Sequence, residues 1–184
     1  MHGPIRKRQE LLIEANIGWL LQAEALLERI SDTSYTSVPP GLAPHKVGSH
    51  LRHILEFYEC CLAGLASSHI DYDARKRDLS VETSRRAAQE RIRSVIRRFE
   101  DEPALRTDSI VWVRVEDSAD FAGADRLLIS SIGRELQVLS SHTIHHFALM
   151  SMALRTLGVP VDPEFGMAPS TLGYLSTRST AEAA

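Results

Sequence analysis

Apolar positions recur every three or four residues along four stretches of the chain, and each stretch predicts an amphipathic helix. The first covers about residues 5–30, with Ile13, Ile17, Leu20 and Leu27 on one side and Glu14, Gln22 and Arg29 on the other. Asn16 and Glu24 intrude at the edges of that stripe, where a polar side chain is expected to be hydrogen-bonded or at the rim. Ser31–Ser34 ends the helix, and the Ser37–Pro44 segment, with three prolines, predicts a rigid connection.

A second helix is predicted from Lys46 or Val47 to about Ser67, striped by Val47, Leu51, Ile54, Tyr58, Cys61 and Leu65. The polar run HIDYDARKRDLSVETS that follows reads as an ordered loop. The third helix spans about Ser84–Glu100, with Ala88, Ile92, Val95, Ile96 and Phe99 inward and Pro103 just past its end. Ser109–Glu116 is β-branched and partly alternating, the one strand the pattern supports, as a short hairpin or an extended loop. The last long helix begins between Asp125 and Ser131 and closes at Leu157–Gly158. The tail, with Phe165, Met167, Leu172 and Tyr174, is expected to pack over the helices before a frayed STRSTAEAA end. The pattern predicts an all-α single domain over residues 1–184 with an ordered core of about 5–175: a four-helix bundle with a long crossover connection and at most a short β-hairpin.

Charge removes some function classes. A net charge of −3 offers no basic field for phosphates, and the arginines from Arg85 to Arg98 are interrupted by Glu90, so no nucleic-acid partner is expected. No stretch reaches the roughly 18 apolar residues of a membrane helix, and MHGPIRKRQELL lacks the features of a secretory signal. A cytoplasmic protein without membrane partners is the expectation. The two cysteines, Cys60 and Cys61, are adjacent on a helix and point about 100° apart, which disfavours a mutual disulfide.

The histidines carry the candidate chemistry. His142 and His146 lie four apart on the last helix, a spacing that puts Cβ atoms about 5–6 Å apart on one face and can present two imidazoles to one ion. Both fall at the border of the stripe marked by Ile132, Leu136, Leu139 and Met150, whereas His145 rotates away. Two buried neutral rings with unmet nitrogens are costly, and a shared cation relieves that cost. The second helix offers His50 or His53 as a third ligand; His50 lies nearer the centre of its stripe, so periodicity prefers His50. Three imidazoles suit zinc or nickel, and also iron, and leave a coordination position open. Glu56 or Glu59 are candidates to orient a ligand ring, and Arg75 or Arg77 to anchor an acidic substrate. No serine, cysteine or carboxylate is spaced as an evident nucleophile or base.

With RHILEFYE on the second helix and SHTIHHFALM on the last, the chain resembles the DinB/YfiT-like superfamily, the damage-inducible type, over about residues 5–158. The family pattern is a histidine followed three residues later by an acidic residue, then a distant H-x-x-x-H. His53 with Glu56 matches the first element and His142 with His146 the second, so the resemblance ranks His53 above His50. It implies a four-helix bundle with a metal-binding histidine triad, a homodimer, and relatives that include metal-dependent thiol transferases and isomerases as well as members without demonstrated activity. The expected functions are therefore a metal-dependent transferase or hydrolase acting on a small molecule with a thiol cosubstrate, a non-catalytic bundle stabilised by metal, or an interaction module.

Overall fold

The computed structural model describes residues 3–102, 105–114 and 127–182, with the side chains of 3–9 and 179–182 outside the description. Pro103 and the last two residues of the expected strand, 115–116, also lie outside it. The described residues are mostly helical. Four long helices, α1 (Gly3–Arg29), α3 (Val47–Gly64), α5 (Arg85–Asp101) and α6 (Ile132–Thr156), are joined by the short helices α2 (Asp32–Thr36) and α4 (Leu79–Thr83) and followed by α7 (Pro169–Glu182).

Local chemistry sets these boundaries. Ser84 and Ser131 cap α5 and α6, their hydroxyls accepting from the amides of Ala87 and Arg134. Gly158 takes φ 74°, the left-handed conformation that stops α6. The predicted stripes turn inward: Leu20, Leu27, Leu51, Ile54, Ile92, Leu136 and Leu139 are buried in one core. Helix α3 packs on α6 and α5, and α1 packs on the same two partners.

Three expectations are corrected. The chain has more than the short hairpin allowed for, because β1 (His69–Asp71), β2 (Ile110–Arg114) and β3 (Leu127–Ser131) form a small sheet in the order β1-β2-β3. β2 and β3 pair antiparallel, while β1, inside the segment read as a loop, joins β2 in parallel. The tail is helical over Pro169–Glu182, into the STRSTAEAA end expected to fray, and Tyr174, expected to pack over the helices, is exposed. Finally, α3 stops at Gly64 rather than Ser67, and β1 crosses so closely there that a Cβ on residue 64 would overlap the carbonyl of His69. No helix among the described residues is long and apolar enough to cross a membrane.

Candidate metal centre

Helices α3 and α6 lie side by side, and their polar border positions meet. His53 comes from α3; His142 and His146 stand one turn apart on α6. The Nε2 of His142 is 3.1 Å from the Nε2 of His53 and 3.1 Å from that of His146, and one nitrogen from each of the three rings falls within 4.8 Å of the others. All three residues are half-buried. His145 is exposed, with its ring 5.1 Å from that of His146.

His50 does not join the three rings. It is buried one turn before His53, where its Nδ1 sits 2.9 Å from the Nδ1 of His146, on the far side of that ring from the Nε2 cluster. The helical stripe placed His50 closest to the core, and it is the most buried of these histidines. Depth and membership of the converging set therefore go to different residues.

Burial disfavours the charged imidazolium and pushes His50, His53 and His142 down to about 4 and His146 to about 3. Neighbouring groups add to this: the His146 ring and then the Arg75 guanidinium depress His53, and His142 and then His50 depress His146. At neutral pH the cluster is uncharged, so each ring keeps a lone pair for a Lewis acid. Two buried ring nitrogens, His50 Nε2 and His142 Nδ1, have no hydrogen-bond partner within the protein. Uncharged, converging and incompletely bonded, these rings form a donor set that fits a divalent transition metal.

One contact runs against that fit. Nη1 of Arg75 is 2.7 Å from Nδ1 of His53. A guanidinium only donates, so this bond leaves the lone pair on Nδ1 and the proton on Nε2. A cation at His53 Nε2 thus requires Arg75 to give up its bond.

The carboxylates considered for orienting a ligand ring are engaged elsewhere. Glu56 accepts from the Asp78 amide at 2.9 Å and from Arg52, and Glu59 pairs with Arg91. Arg77 stands exposed at φ 51°. The apolar stripe does not include Phe57, which stacks on His142 with centroids 4.1 Å apart, on Tyr72 at 5.0 Å, and under Arg75 at 5.3 Å. Its i, i+4 spacing from His53 was the available signal. Beyond Arg75 lies a cavity of about 370 Å³, lined also by Glu59, Cys60, Asp71, Arg91 and Arg98.

No family model matches the chain, and no solved structure matches it. Over 107 residues it is 36% identical to FK506-binding protein 5 of Rhizopus delemar, a match covering 58% of the chain. The chain spans about a quarter of the length of that curated relative, 27%.

Proposed function

We propose that the protein is a divalent-metal-binding member of the DinB/YfiT-like group, with His53, His142 and His146 as ligands and zinc or nickel, then iron, as the ion. The observation that carries this reading is the convergence of three uncharged imidazoles from two helices. The pairwise packing of α1, α3, α5 and α6 is in keeping with the four-helix bundle that the same reading requires.

When bound, such an ion acts as a Lewis acid that lowers the pKa of a coordinated water or thiol. The chain supplies the surroundings. Phe57 holds the His142 ring by stacking, and Arg75 forms a wall common to the cluster and the neighbouring cavity, where an acidic small molecule would find its cation. Neither cysteine is an activated nucleophile: burial pushes Cys60 up to about 11 and Cys61 up to about 12. A thiol in the reaction would therefore come from a cosubstrate, and a metal-dependent transferase or hydrolase is the enzyme this arrangement suits. A specific observation favours the non-catalytic alternative, a metal that stiffens the helices: both glutamates beside the cluster are held in ion pairs, which leaves no free base among them.

A cytoplasmic homodimer completes the proposal. The outer sheet face, where Ile110, Trp112, Leu127 and Ile129 are exposed and Trp112 lies opposite Ile129, is apolar enough to receive a second copy. FK506 binding belongs by name to the fungal protein, and the partial match does not carry it over to this chain.

Elemental analysis of protein purified without a polyhistidine tag tests the reading. It should find about one divalent transition metal per chain, lost in His146→Ala and in His53→Ala and retained in His145→Ala. Metal that survives His53→Ala but leaves with His50→Ala would overturn the ligand set. Chelation then separates the two roles: thiol-dependent turnover lost with the metal marks the enzyme, and a fall in Tm without turnover marks the structural ion.

A further inference from the structure

A histidine that offers Nε2 to a cation must carry its proton on Nδ1. The group that accepts that proton fixes both the tautomer and the rotation of the ring. The outer nitrogens of the three rings are therefore worth comparing. Nδ1 of His142 has no partner within the protein. Nδ1 of His53 faces Arg75, which can only donate. Nδ1 of His146 faces Nδ1 of His50 at 2.9 Å. Among the described residues, His146 is thus the one member of the triad whose outer nitrogen meets a group able to accept.

His50 is well held for that task. It is 5% exposed and rises from α3 one turn before His53. Its ring stacks on that of His45, with centroids 5.2 Å apart and planes 4° from parallel. It meets the His146 ring at 46°, with centroids 5.1 Å apart. These two contacts hold the plane of the imidazole, and within that plane its Nδ1 is the atom that faces His146.

Resting on the metal-binding reading above, we propose that His50 is a positioning residue: its Nδ1 accepts the Nδ1–H of His146 and so aims the His146 Nε2 lone pair into the triad. His50 then keeps its own proton on Nε2, the atom that has no protein partner. The same arrangement explains why a residue at the centre of the α3 stripe is a histidine and not an aliphatic side chain. A leucine would fill the space but leave the His146 N–H buried and unmet.

Two substitutions separate acceptor from filler. His50→Leu keeps bulk and removes the acceptor, while His50→Asn keeps an acceptor oxygen, Oδ1, two bonds beyond Cβ, as Nδ1 is in histidine. Zinc affinity of the untagged full chain, by competition with a chromophoric chelator, should fall about 10- to 100-fold in His50→Leu and return to within about threefold of the parent in His50→Asn. The visible spectrum of the cobalt-loaded protein should follow the same order. If the two variants bind zinc equally, whether like the parent or equally weakly, the positioning role is overturned.

A readout on the parent protein avoids any dependence on how the variants fold. Imidazole nitrogen-15 spectra of the zinc-loaded chain should place the His50 proton on Nε2 and the His146 proton on Nδ1. A proton on His50 Nδ1 would overturn the proposal while leaving the metal site intact. A parent chain that takes up no zinc overturns the metal-binding reading, and this inference with it.

Discussion

Two polar clusters are buried between α3 and α6, and they are finished to different degrees. In the first, Asn16 donates to the carbonyls of Leu12 at 2.8 Å and Leu136 at 3.1 Å, accepts from the Tyr58 hydroxyl at 2.9 Å, and Thr143 donates to that same hydroxyl at 3.3 Å. Every polar group has a partner, and the network ties α1, α3 and α6 together. In the second, the histidine cluster, two ring nitrogens have no protein partner and three rings direct nitrogens at one another. Thr143 is the very next residue after His142, so the helix they share does not explain the contrast. A saturated network fixes the register of helices; an unsaturated one of good ligands has capacity for a further atom.

The sharpest way to break this contrast is to damage each cluster and read both outcomes. Asn16→Ala leaves the Tyr58 hydroxyl without its acceptor, at roughly 1–3 kcal/mol for an unmet buried group, and empties space in the core, so urea unfolding should show a loss of about 3 kcal/mol. Zinc stoichiometry should be unchanged. Loss of zinc with little loss of stability would reverse the two assignments.

Zinc itself should have the next largest effect. At about a hundredfold excess of free zinc over its Kd, the native state gains about 2.7 kcal/mol, and thermal melts of His142→Ala should show none of that gain.

The pH dependence of the metal-free protein follows. Folding holds His50, His53 and His142 near 4 and His146 near 3, whereas the unfolded chain titrates near 6.5. Between those values the unfolded state binds more protons than the native one, so stability is complete above about 6.5 and falls as pH drops towards 4. Urea midpoints measured at pH 7, 6 and 5 should decline in that order, and a midpoint that rises towards pH 5 would contradict the burial of neutral rings.

The smallest effect belongs to Arg75. Its bond to His53 favours the tautomer that cannot bind a cation through Nε2. Arg75→Met should tighten zinc by up to about tenfold, read by chelator competition. Weaker zinc binding in that variant would mean that Arg75 supports the site.

Much of this contrast was legible in the sequence. The i, i+4 pair of His142 and His146 and the intrusion of Asn16 into an apolar stripe both follow from helical periodicity, and Asn16 is hydrogen-bonded as such a residue must be. Periodicity also says how deep a side chain sits, but not which way a ring nitrogen points. That is why the stripe favoured His50, whose Nδ1 lies behind a ring of the cluster rather than within it. Strand β1 was missed because three residues carry too little pattern; it exists through its partner, with the Trp112 amide donating to Ser68 at 2.8 Å and Ile70 aligned with Val113. Helix α7 was missed because PSTLGYLSTRSTAE is rich in serine and threonine, which favour caps and turns over helix interiors.

The most direct test is a crystal of the zinc-loaded, untagged chain with data collected on both sides of the zinc absorption edge. The account predicts one anomalous peak bonded to Nε2 of His53, His142 and His146 at about 2.0–2.1 Å, with the Arg75 guanidinium withdrawn from His53. No peak among these rings, or a peak bonded to His50 in place of His53, would contradict it.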